Sequence, residues 1–219
     1  MTRVLVLRPE PGASETVTKA RNLGLDAVAV PLFKIEPMVW EAPEPGSFDG
    51  LLLTSANSIR HGGNQIEQFR GLKVYAVGEA TAQAAREAGF DIASTGDAGV
   101  DRLLGSIEGD LKLLHLCGDE RREPNEPRQP ITSMAVYRAA ALPAPELPGE
   151  GLALIHSPRA GRRLAELVED RTQMSLAAIS GAAAEAAGDR WKSVSVADQP
   201  SDDALLALAA RLCNNSHPE

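Results

Sequence analysis

Aromatic residues fill only 4% of the 219 positions, and there are just two cysteines, Cys117 and Cys213. So few rings do not pack a β-sandwich, whereas the plentiful Ala, Leu, Val and Gly suit thin sheets covered by Ala-rich helices. The two cysteines sit far apart in apolar surroundings without the spacing of a zinc site or a redox motif, and read as buried free thiols. Long apolar runs are missing: Val4-Leu5-Val6-Leu7 is too short for a signal peptide and nothing approaches a membrane span, so a cytoplasmic protein is expected. A basic surplus is missing too. The formal net charge of −8 argues against a general nucleic-acid or membrane-binding face.

The usual catalytic signatures are also absent. No G-x-G-x-x-G opens a helix and no Walker Gly-Lys-Ser/Thr appears, which disfavours NAD and ATP chemistry. His61, His115, His156 and His217 lack the i, i+4 spacing of a metal helix, and no G-x-S-x-G elbow presents a serine nucleophile. Neither metal nor cofactor is therefore expected.

What is present is an alternation of short β-branched or Leu-rich runs with helical stretches, the signature of successive βα units and a parallel sheet. Strands are expected at Val4–Leu7, Asp26–Ile35, Leu51–Leu53, Lys73–Val77, Leu111–Leu116, Ile131–Leu142, Leu152–His156, Leu176–Ile179 and Val194–Ala197. Helices are expected at Glu15–Leu23, from Ala56, at Glu79–Ala88, Ala160–Val168, Ala182–Ala187 and Asp203–Leu212, the last capped by Ser201. Glu123–Pro130, with three prolines in eight residues, reads as a loop. Two proline-rich stretches, near 37–47 and 143–148, suggest crossings between two lobes, 1–36 with 138–219 and 37–137. An internal repeat agrees: Ser55 and Ser157 each follow an apolar strand, and 23 residues later Gly78 and Ser180 each follow another.

Ligands of doubly wound sheets bind outside the carboxyl ends of the strands, where helix starts offer free N–H donors. The candidate binding residues are thus the strand-end turns Thr54-Ser55-Ala56-Asn57, Gly78-Glu79-Ala80-Thr81, Ser157-Pro158-Arg159 and Ser180-Gly181, with Arg8 at the end of the first strand. Such turns suit carboxylates or phosphates, and plain helix capping is the alternative for each. Tyr137 lies in the long strand, where a ring also packs well. Arg121 and Arg122, beside the proline loop, read as solvated.

In order and spacing, Val4-Leu5-Val6-Leu7-Arg8-Pro9, Leu53-Thr54-Ser55-Ala56-Asn57, Val74-Tyr75-Ala76-Val77-Gly78-Glu79-Ala80-Thr81-Ala82 up to Gly89, Val136-Tyr137, Ser157-Pro158 and Ala178-Ile179-Ser180 resemble the uroporphyrinogen-III synthase family. The resemblance implies two flavodoxin-like α/β lobes with parallel sheets, joined by a two-strand connection, with a substrate cleft between them. It implies a cytoplasmic, cofactor-independent lyase of haem biosynthesis, expected to be a monomer, acting on the small molecule hydroxymethylbilane. The acetate and propionate arms of that substrate would be held by N–H groups and hydroxyls of the turns. Tyr137 aligns with the tyrosine the family places near the reacting end, and Thr81 with a threonine facing the cleft. Two departures stand out: Ala183 replaces the threonine of the second repeat, and Glu123–Pro130 replaces a helix. A non-catalytic two-lobe ligand-binding module of the same fold is the competing reading, and an FMN-binding flavodoxin-like domain is another.

Overall fold

The computed structural model describes residues 2–97, 99–121 and 123–214. Arg122 and His217, named above, lie outside them. The chain divides into two compact units, Met1–Lys34 with Ala141–Glu219, and Ile35–Ala140.

The first unit holds β1 (Arg3–Val6), α1 (Gly12–Asn22), β2 (Asp26–Ala29), β9 (Gly151–Ile155), α5 (Pro158–Leu167), β10 (Met174–Ala178), α6 (Gly181–Ala186), β11 (Ser193–Val196) and α7 (Asp202–Asn214). Its sheet runs β11-β10-β9-β1-β2, every pair parallel. Val4 through Leu7 and Leu152 through Ile155 are almost fully buried, because helices cover both faces and each strand must be apolar on both sides. A Cβ on Gly161 would stand 2.7 Å from the Ala183 carbonyl oxygen, so α5 and α6 meet backbone to backbone there. Ala183 itself has no exposure.

The second unit holds β4 (Gly50–Leu53), α2 (Asn57–His61), β5 (Lys73–Val77), α3 (Glu79–Glu87), β6 (Ile92–Gly96), α4 (Val100–Ser106) and β7 (Leu113–Gly118), while β3 (Phe33–Pro37) and β8 (Ile131–Ala141) carry the chain across the boundaries. Its sheet runs β3-β8-β7-β4-β5-β6. The pairs from β8 to β6 are parallel. β3 is the exception: Met38 N–H donates to the Val136 carbonyl and Leu142 N–H to the Leu32 carbonyl, so the numbers run oppositely along the pair.

Three sequence expectations change. Asp26–Ile35 is not one strand but β2 and β3, in different sheets, since Pro31 between them has no N–H to continue the ladder. β6 and α4 escaped notice because β6 is a half-exposed edge strand rich in Ser and Thr, and α4 carries Gly105. Although Glu123–Pro130 is not helical, α4 covers this face of the sheet, where its Leu103 and Leu104 pack with Ile107 against Leu52 and Leu113. Burying each such side chain stabilises the fold by about 1.5–3 kcal/mol. The loop takes part as well: Gln129, 2% exposed, donates toward the carbonyls of Leu104, Ile107 and Gly109 at 3.3–3.4 Å and caps the end of α4.

Among the described residues, no helix is long and apolar enough to cross a membrane, and no cluster of three His, Cys, Asp or Glu could hold a metal ion.

Candidate active site

In the second unit the parallel strands deliver their last residues to one edge. β4 is followed by Thr54 and Ser55, β5 by Gly78, and β7 ends in Gly118, followed by Asp119 to Arg121. A register shift after Cys117 places Tyr137 of β8 opposite Gly118, the re-aiming of a side chain that a bulge produces. Gly118 makes room for the ring, since a Cβ there would lie 2.9 Å from it. Together Thr54, Ser55, Val77, Val100, Gly118, Glu120, Arg121 and Tyr137 line a hollow of about 220 Å³.

The hydroxyls around this hollow are ordered by their partners. Asn57 N–H donates to Ser55 Oγ at 3.2 Å. Burial pushes the Tyr137 phenol above its ordinary pKa, and hydrogen bonds from Ser55 and the Gly118 backbone pull it only partly back. Tyr137 is thus protonated at neutral pH and able to donate a hydrogen bond. Beneath it, His115 is 1% exposed on β7, with Nε2 3.0 Å from Thr54 Oγ1 and Nδ1 3.3 Å from Ser133 Oγ.

The same edge of the first unit is built around a carboxylate. Asp202, at the start of α7, has Oδ1 at 2.9 Å from Thr16 Oγ1, 3.1 Å from His156 Nε2 and 3.5 Å from Arg8 Nη1, and Oδ2 at 3.4 Å from Lys19 Nζ. Burial alone would raise its pKa. The hydrogen bonds from His156 and Thr16 and the charges of His156 and Arg8 outweigh burial and hold the carboxyl well below the usual range. Arg8 bends over Gly12, where a Cβ would meet its Nε at 2.6 Å. Arg8 Nη1 serves both Thr16, at 3.3 Å, and Asp202.

The remaining sequence candidates fall into place one by one. Ser157 and Ser180 cap α5 and α6, accepting from Ala160 N–H at 3.2 Å and Ala183 N–H at 3.3 Å, so the capping alternative describes their oxygens while each hydroxyl hydrogen stays free. Pro158 and Gly181 are the first residues of those helices, and the Arg159 guanidinium lies 4.6 Å over the Phe33 ring. Ala56 precedes α2, which Asn57 opens. Gly78, at φ 84°, takes a left-handed turn that suits glycine, and its N–H donates to the Gly96 carbonyl at 2.7 Å. Glu79 pairs outward with Arg86 at 2.6 Å, and Thr81 is only 5% exposed, which leaves the first-turn N–H groups of Glu79 and Ala80 as that turn's open donors. The corresponding Ala183 is fully buried, so its missing hydroxyl takes no donor from the surface.

Sequence reading missed four participants. Arg121 is exposed, as expected, but it also lines the hollow and pairs with Glu123 at 2.7 Å. Asp202 and His156 gave no local signal, since their partners lie up to 194 residues away. His115 did give one, as a single polar residue inside the apolar run Leu113-Leu114-His115-Leu116. A larger hollow of about 730 Å³ opens at the opposite edge of the first unit's sheet, among Arg3, Asp26, Gly151 and Ser193, and no candidate residue reaches it.

Residues 14–207 match the family described as uroporphyrinogen-III synthase HemD. No curated protein matches the chain closely enough to count as a relative. Among solved structures, it is similar to the crystal structure of uroporphyrinogen-III synthetase from Helicobacter pylori, at 16% identity and TM-score 0.70, over 97% of this chain and 100% of that one. It is also similar to a mutant uroporphyrinogen III synthase from the extremely thermophilic bacterium Thermus thermophilus, at 17% identity and TM-score 0.52, over 98% of this chain and 100% of that one. At such identities these structures speak for the fold, two parallel-sheet α/β units. With the family match running through the turns at Thr54, Gly78, Ser157 and Ser180 and through Tyr137, the chain belongs to the uroporphyrinogen-III synthase family.

Proposed function

We propose that the protein closes hydroxymethylbilane to uroporphyrinogen III, inverting the terminal pyrrole ring with loss of water, as a cytoplasmic, monomeric lyase of haem biosynthesis that needs no cofactor. The observation that carries this reading is the hydroxyl-lined hollow of the second unit, where the protonated Tyr137 phenol lies beside Thr54, Ser55 and Arg121.

The chemistry asks for positioning more than for a strong catalyst. The hydroxymethyl oxygen leaves as water and an azafulvene forms. The substituted carbon of the terminal ring then attacks it to give a spiro intermediate, which fragments and recloses at the other position. The pyrroles supply the electrons throughout. Tyr137 donates a hydrogen bond to the departing oxygen, and its raised pKa keeps the phenol protonated for that task. In the second unit, Arg121, Thr54 and the first-turn N–H groups of α3 take carboxylate arms.

Tyr137→Phe should lower kcat about tenfold, the worth of one lost transition-state hydrogen bond, while far-ultraviolet circular dichroism stays unchanged because the ring still fills its seat beside Gly118. Unchanged turnover would return Tyr137 to the core.

The decisive experiment is isomer analysis. Free bilane closes spontaneously at the unsubstituted carbon and gives the symmetric type I product, so consumption of substrate proves nothing. Protein without added metal or cofactor should make the type III isomer predominate after oxidation and separation of the products. Type I at the same rate with and without protein would leave only a ligand-binding module of this fold.

A further inference from the structure

We propose that His115 is a positioning residue: its buried ring, held between Ser133 and Thr54, fixes the Thr54 hydroxyl as a hydrogen-bond donor toward a substrate carboxylate in the hollow of the second unit. The proposal rests on the synthase reading for the identity of that carboxylate. Its geometry stands on its own.

His115 occupies the middle of β7, with Leu52 of β4 as its register partner on one side and Ser133 of β8 on the other. Its two nitrogens reach two hydroxyls, Thr54 Oγ1 from Nε2 at 3.0 Å and Ser133 Oγ from Nδ1 at 3.3 Å. Thr54 lines the hollow and His115 does not, so whatever the ring does for a ligand passes through Thr54.

A neutral imidazole has one N–H and one lone pair, and burial together with the nearby Arg121 keeps His115 neutral, its pKa lowered to about 4. Two arrangements are then open. With the hydrogen on Nδ1, His115 donates to Ser133 and Nε2 accepts the Thr54 hydroxyl hydrogen, so the hollow sees only an oxygen lone pair. With the hydrogen on Nε2, Ser133 donates to Nδ1, His115 donates to Thr54, and the Thr54 hydrogen is left to point into the hollow. A carboxylate accepts and never donates, so only the second arrangement binds it. The shorter contact lies on the Nε2 side, and the wall of the hollow carries the Arg121 guanidinium, which also pairs with Glu123.

A purely structural histidine would satisfy its hydrogen bonds in either arrangement and would act independently of Thr54. The role proposed here couples the two residues. The first readout is the tautomer, read from long-range ¹⁵N–¹H correlations of labelled protein at pH 7, with the His115 signals assigned by their loss in His115→Gln. Nε2 protonated and Nδ1 bare is the expected pattern, and the reverse overturns the proposal.

The second readout is KM for hydroxymethylbilane. A glutamine amide can reach Thr54 as Nε2 does, whereas an asparagine amide reaches only toward Ser133. His115→Asn should therefore raise KM about tenfold with a smaller change in kcat, and His115→Gln should raise it less. Thr54→Val should raise KM to a similar extent, and adding His115→Asn to it should bring no further rise. Effects that multiply, or equal losses from Asn and Gln, overturn the proposal. If the wild-type protein yields only type I product, the synthase reading fails, and the tautomer still decides what His115 does to Thr54. Should His115→Asn fail to fold, the tautomer of the wild-type protein and of Thr54→Val carries the test.

Discussion

Asp202→Ala should cost the protein about 3 kcal/mol of stability in urea unfolding, one of the two largest effects expected outside the apolar core. Four side chains converge on this carboxylate, from α1, from the ends of β1 and β9, and across as many as 194 residues of sequence. The side chain is only 19% exposed and that of His156 only 8%, so water cannot replace what is removed. Arg8 would lose its counter-charge and His156 its acceptor, and an unpaired buried polar group costs more than the bond it once made contributed. Asp202 also stands in the first turn of α7, where a negative charge meets the positive end of the helix dipole. Asp202→Asn keeps the shape and one acceptor but not the charge, and should lie between the wild type and Ala. The pH dependence has a definite sign. Because the folded-state pKa is depressed, the contribution of Asp202 is fully present above the ordinary carboxylate pKa of about 3.9 and disappears only as pH falls further, toward the folded value. The titration of the Asp202 carboxylate itself should therefore add no slope between pH 7 and 5 to the difference between wild type and Asp202→Asn. A loss below about 1 kcal/mol for Ala would mark the cluster as no stronger than an exposed ion pair.

The contrast between this cluster and the strand-end turns shows what a sequence can disclose. Ser157 and Ser180 were legible as helix starts because a cap is a local device, completed within three residues by Ala160 and Ala183. The rhythm of strand and helix was legible for the same reason, and so was the offset between Ser55 and Gly78 that recurs between Ser157 and Ser180. Where the fold depends on distant pairing, the signal fades. Nothing near Asp202 announces Thr16, and nothing near the exposed Arg121 announces that it lines the hollow. The break between β2 and β3 could have been read from Pro31, but the apolar residues around it mimic one continuous strand. Tyr137 stood in a strand like any packing ring, and only the shift after Cys117 gives its hydroxyl an outlet.

His115 leads to the other large effect, a loss of stability in the second unit as pH falls from 7 toward 4. Burial and the charge of Arg121 push its pKa down to about 4, with Glu123 opposing them weakly, whereas the same side chain in the unfolded chain titrates near 6.5. Above pH 6.5 both states are neutral and the residue adds no slope. Below it the unfolded chain takes the proton first, so acid favours unfolding until the folded state is protonated as well, near pH 4. The expected loss is about 2 kcal/mol by pH 5 and about 3 kcal/mol by pH 4. Protonation would also convert Nδ1 and Nε2 into two donors and force both hydroxyls to accept, which turns the Thr54 hydrogen in whatever direction remains. The two tryptophans make the measurement selective, since Trp40 belongs to the core of the second unit and Trp191 to the first. With Trp191→Phe as background, fluorescence-detected urea unfolding at pH 7, 6 and 5 should show the midpoint falling, and His115→Gln, which cannot titrate, should flatten that fall by most of its amount. An equal decline in both proteins would place the acid sensitivity elsewhere and leave His115 with a pKa close to that of the unfolded chain.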